Sequence, residues 1–278
     1  MATRRYSPTI RRRRLSAELR RIRQAARLTG DEVAAAAELS RSTYFNIESG
    51  VKQRPQVAEI RAILDACGLT EGREREEILD LCRQSRERGW WSRYRDVLST
   101  RYVGFETEAS SISTWEPLVI PGLLQTPSYM ETTARSALAK PEDVRRIVDA
   151  RMTRQRILDD EPPELWAVFD EGALLRLGDY PEVRREQIRH LLEMAERPTI
   201  TLQMTRADQL NPGSGGPFVI LDFPEAVDPT VVYLETATDG LYLEDGAEIA
   251  RYRNLFSHLC LTALRPGETI ARLREMIG

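Results

Sequence analysis

The sequence predicts an all-α N-terminal domain of five helices followed by a larger α+β C-terminal domain. Two observations predict this division. Apolar residues recur at helical spacing up to Cys82, and short β-like runs of apolar residues occur only from Leu165 onward. Gly89 breaks the helical pattern between them, so we expect the first domain over residues 15–88 and the second over residues 89–278.

Charge is divided unevenly along the chain of 278 residues. The formal net charge is -3, but up to Arg61 there are fourteen basic residues against six acidic ones, which gives this segment +8 and leaves -11 on the rest. A basic head on an acidic body suits a protein that holds a polyanion at one end only. An apolar content of 41% is sufficient for a core in each domain.

Cysteine usage and hydropathy indicate a cytoplasmic protein. Cys67, Cys82 and Cys260 are odd in number and widely spaced, which favours reduced core residues over a disulfide framework or a zinc site. No uninterrupted apolar stretch approaches the roughly 18 residues that a membrane helix needs. The N-terminal arginines lead into no apolar segment of a secretory signal, although a transit peptide is an alternative for this end. We therefore expect no membrane association.

The first fourteen residues are strongly basic, with six arginines, one proline and no acid. We expect residues 1–14 to be a disordered arm that follows phosphates or enters a minor groove of DNA. The backbone contacts expected from this arm are Arg11, Arg12, Arg13 and Arg14. A solvated tail without a DNA role is the alternative interpretation.

A helix-turn-helix pattern spans residues 28–55. Thr29 followed by Glu32 is a capping box that opens one helix, and Ser40 is the N-cap of the next. The inward faces of this pair are formed by Val33, Ala34, Ala37, Tyr44 and Ile47. The helix before the pair is marked by Leu15, Leu19, Ile22 and Ala26.

The surface that remains on the second helix of the pair is rich in hydrogen-bond donors. It carries Arg41, Ser42, Thr43 and Asn46 near its N-terminal end, the part that a helix-turn-helix protein offers to the major groove. A helical hairpin without a DNA role is the alternative. Capping, spacing and surface donors together favour DNA binding.

This segment resembles the Xre-type, repressor-like helix-turn-helix domains over residues 15–68. The resemblance implies that the helix after Ser40 is the recognition helix and that residues 52–55 run along the DNA backbone. The base contacts that it implies are Arg41, Ser42 and Asn46. Lys52 and Arg54 would then contact the DNA backbone, with Arg54 near the minor groove. We also expect backbone contacts from Thr29, Ser40 and Thr43.

Three positions depart from the Xre-type pattern. Gly30 stands where the family often has a Gln or Thr that touches DNA, and Glu38 stands where a Gly usually makes the turn. Tyr44 replaces a smaller aliphatic residue. A left-handed conformation at Glu38 would cost on the order of 1 to 2 kcal/mol.

Two more helices complete the expected first domain. Residues 57–67 carry a helical apolar pattern that ends at Gly68, and a fifth helix runs from about Glu71 to Arg88 among i, i+4 charge pairs. An aromatic stretch follows, which is more typical of a packed junction between domains than of a stacking platform for bases. It consists of Trp90, Trp91, Tyr94, Tyr102 and Phe105.

The larger domain alternates between helices and strands. A mixed segment from Glu106 leads into a helix from about Pro127, helical spacing resumes over residues 141–158, and Pro181 opens a helix to about Glu196. The predicted strands cover residues 165–169, 199–204, 217–223 and 230–236. Two helices end the chain, and the first has a 3, 4, 3, 4 apolar spacing that fits packing on its own core or on a second subunit.

This region resembles the C-terminal domain of the Scr1-type or WhiJ-like regulators of actinomycetes. Five segments carry the likeness in the expected order: 115–129, 150–158, 168–176, 186–203 and 215–223. The resemblance implies a regulator, often treated as antitoxin-like, that works with a small partner protein.

Residues of the kinds that carry catalysis are scarce. His190 and His258 have no His, Cys or carboxylate at metal-ligand spacing, and the glycine-rich loop 211–217 lacks the Lys-Ser/Thr of a phosphate loop. A G-x-S-x-G motif is absent from the sequence. The acidity of this domain accounts for a group of carboxylates at Asp159, Asp160, Glu161, Asp170 and Glu171. We therefore expect a non-enzymatic protein without a metal or cofactor.

The sequence thus predicts a sequence-specific DNA-binding transcriptional regulator that acts on a double-stranded operator. We therefore expect this cytoplasmic protein to be associated with the nucleoid. Because one helix-turn-helix unit reads only a few base pairs, we expect a homodimer on a two-fold related site. The C-terminal domain would supply dimerisation and bind a small regulatory partner protein. Two alternatives stay open for it: a small-molecule sensor, and an antitoxin that neutralises a small toxin-like protein.

Overall fold

The computed structural model describes residues 8–52, 54–86, 89–137, 140–225, 228–236 and 240–277. The chain separates into two compact units, Met1–Ser92 and Arg93–Gly278. The first unit is helical, and the second combines helices with a mixed sheet of six strands. The predicted fold class, an all-α domain followed by an α+β domain, is confirmed.

Five α-helices build the described part of the N-terminal unit. They are α1 (Pro8–Ala25), α2 (Gly30–Ala36), α3 (Arg41–Glu48), α4 (Val57–Ala66) and α5 (Arg73–Ser85), and a 3-10 helix follows at Trp90–Tyr94. Their inward faces share one apolar core, to which every helix contributes a fully buried side chain. Examples are Leu19, Val33, Tyr44, Ile60 and Leu79.

The first helix begins earlier than the sequence predicted. Residues 8–14, which we expected in a disordered arm, form about two turns of α1, and Ile10 is buried. Proline is favourable where a helix starts, and arginine is a good helix former. Arg11 is also buried, and its Nη1 donates to the carbonyl of Gln84 at 3.4 Å. Residues 1–7 of the expected arm lie outside the described residues.

The fifth helix is shorter than predicted. It begins at Arg73 and ends at Ser85, whereas the charge pattern predicted a helix from Glu71 to Arg88. Gly72, with φ of +105°, precedes its first residue. Residues 87 and 88 at the predicted end lie outside the described residues.

The sheet of the C-terminal unit has three parallel and three antiparallel strands. These are β1 (Ser111–Glu116), β2 (Glu164–Asp170), β3 (Ile200–Thr205), β4 (Phe218–Asp222), β5 (Val231–Glu235) and β6 (Gly240–Leu243). The order is β3-β2-β1-β4-β5-β6. Strands β1, β2 and β3 run parallel to one another, and each neighbour from β1 to β6 on the other side is antiparallel. The four strands that the sequence predicted correspond to β2, β3, β4 and β5.

Seven α-helices accompany this sheet in the described residues. They are α6 (Thr100–Glu106), α7 (Pro127–Ser136), α8 (Pro141–Gln155), α9 (Gly172–Leu175), α10 (Pro181–Met194), α11 (Gly246–Thr262) and α12 (Pro266–Ile277). Short 3-10 helices lie at Gly122–Leu124 and Arg156–Leu158. None of the helices in the described residues is long and apolar enough to cross a membrane.

Helix α11 packs on one face of the sheet. Its Phe256 and Leu259 are buried against Trp115 and Phe218, so the 3, 4, 3, 4 spacing reflects packing on the domain's own core. On the other face, the rings of Tyr102 and Tyr233 lie 4.3 Å apart between centroids. Part of the predicted aromatic junction therefore belongs to the interior of the C-terminal unit.

Candidate nucleic-acid interface

Side-chain caps fix the points where α2 and α3 begin. The Thr29 hydroxyl accepts the Glu32 N–H at 3.3 Å, and the Glu32 carboxylate accepts the Thr29 N–H at 2.7 Å, which confirms the capping box. The bond from the Thr29 N–H, reinforced by its hydroxyl, holds the pKa of Glu32 below its usual value because it favours the charged form. The Ser40 hydroxyl accepts the Thr43 N–H at 3.1 Å and caps α3.

The turn between α2 and α3 contains a left-handed residue. This residue is Glu38, whose φ is +56°. Its N–H donates to the carbonyl of Ala35 at 3.2 Å, and the Leu39 N–H donates to that of Ala34 at 2.9 Å. These bonds hold the turn closed despite the conformational cost of a side chain at this position.

The inner side of α3 is anchored by polar as well as apolar groups. Tyr44 and Ile47 are buried, as predicted, and the Tyr44 hydroxyl donates to Glu48 Oε1 at 2.9 Å. Burial and the bond to the Glu48 carboxylate raise the pKa of Tyr44, so its hydroxyl stays protonated and donates. The Ser16 hydroxyl of α1 donates to the Glu48 carbonyl. These contacts fix which side of α3 faces outward.

The structure places the three predicted base-contact residues on the outer side of α3. Arg41, Ser42 and Asn46 are exposed, and Thr43 beside them is half-buried. Arg41 Nε lies 2.8 Å from Asp31 Oδ1 on α2. The exposed side of the helix therefore carries a guanidinium, a hydroxyl and a carboxamide, the groups that pair with base edges in the major groove.

Two neighbours of Arg41 were not predicted to belong to this surface. One is Asp31, and the other is Phe45, which is 41% exposed and whose ring centroid lies 5.6 Å from the Arg41 guanidinium carbon. A Cβ atom on Gly30 would lie 2.9 Å from Cζ of Phe45, so the glycine gives this ring room. In the sequence, only the departure of Gly30 from the Xre-type pattern could have indicated that the Phe45 ring lies here.

The residues predicted to contact the DNA backbone differ in their exposure and in their partners within the protein. Lys52 Nζ lies 2.5 Å from Glu59 Oε1, so an ion pair holds its charge, whereas Arg54 is exposed. The Thr29 and Ser40 hydroxyls form the caps described above. The expected arm residues Arg12, Arg13 and Arg14 are half-buried on α1, and Arg11 is buried.

Two known protein families match separate parts of the chain. Residues 14–78 match a family described as a helix-turn-helix domain, which supports a DNA-binding regulator of the Xre-like kind. Residues 99–275, more than half of the chain, match a family described as a domain of unknown function, DUF5753. The chain belongs to the DUF5753 family. No curated protein and no solved structure matches the chain.

The DUF5753 domain buries a bidentate ion pair. Arg154 Nη2 lies 2.7 Å from Glu106 Oε1, and Arg154 Nε lies 2.5 Å from Glu106 Oε2. The Tyr102 hydroxyl donates to Glu106 Oε1 at 2.7 Å. A Cβ atom on Gly122 would lie 3.0 Å from Arg154 Nη1, so the chain passes close over the guanidinium. The pair links α6 to α8 beneath the sheet.

A second carboxylate of the DUF5753 domain is close to these charges. Glu116 ends β1, and burial together with the negative charge of Glu235 raises the pKa of Glu116 to about 8. Burial and the charge of Arg154 lower the pKa of Arg151, whose Nη1 donates to Gln125 Oε1 at 3.0 Å. The sequence did not single out any of these residues, because their pairing arises only in the folded domain.

The pKa values of two cysteines and one histidine are shifted by burial, as is usual for side chains that pack in a core. Burial raises the pKa of Cys82 and of Cys260 to about 11, so both thiols are protonated at neutral pH. Burial lowers the pKa of His190. Within the described ranges, no group of three or more His, Cys, Asp or Glu residues is arranged to hold a metal ion. In the loop 211–217, Gly213 is buried and its carbonyl accepts a hydrogen bond from Trp115 Nε1 at 2.9 Å.

Proposed function

We propose that this protein is a sequence-specific transcriptional regulator whose α3 lies in the major groove of a double-stranded operator. The observation that carries the proposal is the outer side of α3, where Arg41, Ser42 and Asn46 are exposed on a capped helix with an anchored inner side. Arg41 would read guanine through O6 and N7, and Asn46 would read adenine. Each good pair contributes about 1 to 3 kcal/mol of discrimination.

Phosphate contacts would supply the sequence-independent part of the affinity. Thr43 lies beside Ser42 on α3, Arg54 follows α3 in the chain, and Arg12, Arg13 and Arg14 add positive charge on α1. Lys52 would join them only after leaving Glu59, so we expect a smaller contribution from it. Binding should therefore weaken steeply with salt, because each neutralised phosphate releases counterions.

We propose that the regulator binds as a homodimer. One α3 contacts only a few base pairs, whereas two copies on a two-fold related site double the number read. Light scattering at micromolar concentration tests this proposal with the full chain. A monomer that still binds DNA one-to-one would contradict it.

For the DUF5753 domain we propose the regulatory role of Scr1-type or WhiJ-like regulators, with a small protein as partner. Leu118, Leu175 and Tyr180 are exposed apolar residues. Arg176 Nη1 donates to the Leu118 carbonyl at 3.0 Å, which joins the two segments that carry them. An exposed apolar surface favours a protein partner over a small-molecule sensor, which would need a deep apolar pocket. The alternative is that the partner is a small toxin-like protein that this domain neutralises.

Sequencing of DNA fragments retained by the purified full chain tests the proposed function. We expect enrichment of an inverted repeat whose half-sites contain guanine and lie about one or more helical turns apart. The Arg73→Ala variant is a suitable control, since it removes one exposed positive charge from α5, and it should retain the same sequence. Recovery of random fragments by the wild-type protein would contradict the proposal.

A further inference from the structure

We infer that Asp31 is a positioning residue for base reading: it holds the guanidinium of Arg41 by Nε, so that the terminal nitrogens can meet a guanine. The inference rests on the proposed function, because it assigns a role within the same DNA-binding surface. Asp31 lies in the first turn of α2 and Arg41 opens α3, so the pair joins the two helices of the motif on their outer side.

The pair contributes little to the stability of the fold. Arg41 Nε lies 2.8 Å from Asp31 Oδ1, but the side chains are 74% and 56% exposed. Ion pairs in such exposed positions stabilise a fold very little, because water screens the charges. A pair that does little for folding and lies on the DNA-binding side of α3 is therefore available for a functional role.

Phe45 restricts the movement of the Arg41 guanidinium from a second direction. Its ring centroid lies 5.6 Å from the guanidinium carbon of Arg41, and the ring also makes an edge contact with buried Tyr44 at 5.6 Å. Gly30 permits this arrangement, since a Cβ atom there would lie 2.9 Å from the Phe45 ring. The carboxylate and the ring together restrict a long side chain that would otherwise lose much rotamer freedom on binding.

The chemistry of the guanidinium explains how the pair could sharpen recognition. Guanine presents O6 and N7 as two acceptors, which match the two terminal nitrogens of an arginine held at Nε. The Asp31 carboxylate also opposes close approach of phosphates, so it penalises any register in which Arg41 would contact the backbone instead of a base. Specificity then comes from an attraction to guanine and a repulsion from alternatives.

The test compares two duplexes of equal length by fluorescence anisotropy with the full chain. One carries the sequence enriched by the wild-type protein, and the other carries a random sequence. For Asp31→Asn we expect the ratio of the two affinities to fall about fivefold or more, because Arg41 becomes free to bind a phosphate of random DNA and is no longer oriented toward guanine. The thermal unfolding temperature should stay the same.

Three further variants separate positioning from a general charge effect. Glu77→Gln removes one carboxylate from an exposed ion pair with Arg73 on α5, and the affinity ratio should not change. Asp31→Glu keeps the acceptor and should retain most of the ratio. In an Arg41→Ala background, Asp31→Asn should have no further effect on the ratio.

Replacement of each guanine in the enriched site by 7-deazaguanine gives a readout that a structural role would not move. The wild-type protein should lose affinity at one position per half-site, and Asp31→Asn should lose less at that position. An unchanged ratio for Asp31→Asn, with wild-type preference intact, would overturn the inference and leave the proposed function standing. Absence of any preferred sequence for the wild-type protein would overturn both.

Discussion

Arg23 Nε in α1 lies 2.7 Å from Glu48 Oε1 at the end of α3, and both side chains are largely buried. Arg23 Nη1 also donates to the Leu28 carbonyl before α2 at 3.0 Å. One guanidinium therefore connects α1, the start of the helix-turn-helix and the end of α3. The orientation of the proposed recognition helix depends on this buried pair as well as on apolar packing.

Loss of Glu48 should destabilise the N-terminal domain strongly. We expect Glu48→Ala to lower its free energy of unfolding by about 3 to 5 kcal/mol, because Arg23 would remain buried without its partner. Hydrogen exchange of the α3 amides follows this domain separately from the rest of the chain. Glu74→Ala removes an exposed partner of Arg21, and it should change the free energy of unfolding obtained from exchange by less than about 1 kcal/mol. Equal effects would show that the buried pair has no special role.

Glycine at position 38 should stabilise the turn. Glu38 has φ of +56°, a conformation that costs a side chain on the order of 1 to 2 kcal/mol but costs glycine nothing. Glycine also has a larger entropy in the unfolded chain, which offsets part of this effect. The free energy of unfolding of Glu38→Gly should therefore rise by about 0.5 to 1 kcal/mol. Glu77→Gly, in the interior of α5, should instead lose about 1 kcal/mol. Thermal unfolding distinguishes the two, and a loss in Glu38→Gly would contradict the prediction.

Stability of the DUF5753 domain should depend on pH through Glu116. Its pKa in the folded domain is about 8, against 4.5 for the ordinary group, so the folded state binds more protons between these values and stability falls as pH rises. The free energy of unfolding of Glu116→Gln should therefore exceed that of the wild type by about 1 to 3 kcal/mol at pH 8 and by little at pH 5. Denaturant unfolding at the two pH values measures this difference. Glu235→Gln should give a smaller gain in the same direction. A gain independent of pH would contradict this assignment.

The arginines of α1 should contribute to the salt dependence of DNA binding. The double variant Arg12→Gln/Arg14→Gln should reduce the slope of log affinity against log salt by about 0.9 for each phosphate that is no longer neutralised. It leaves buried Ile10 and Arg11 in place, which a deletion of residues 1–14 would not. The control Arg145→Gln/Arg189→Gln removes two exposed charges from the C-terminal unit. An unchanged slope in the α1 variant would mean that these arginines do not meet phosphates.

Local signals predicted much of this architecture. The capping residues Thr29 and Ser40 mark helix starts by hydrogen bonds to amides three residues away, and Pro181 opens α10 as expected. Strands β2 to β5 were predicted because runs of β-branched and aromatic residues have few alternatives. Strand β1 was missed because Ser and Thr alternate with its apolar residues, and β6 was missed because it is four residues long and begins with Gly240.

Contacts between residues that are far apart in the sequence could not be predicted from local patterns. Residues 8–14 were predicted as an arm because proline and a run of arginines resemble a disordered segment, whereas Ile10 draws this segment into α1 by burial. The contact of Asp31 with Arg41 joins two helices and depends on the turn between them. The burial of Arg154 with Glu106 likewise requires two helices far apart in the sequence.

The affinity of Arg41→Ala for the enriched duplex and for a random duplex tests the central claim most directly, since the claim is that the outer side of α3 reads bases. We expect a loss of about 1 to 3 kcal/mol on the enriched duplex and a much smaller loss on random DNA. Arg73→Ala should affect the two duplexes equally. An equal loss on both duplexes for Arg41→Ala would remove Arg41 from the base-reading set and contradict the account.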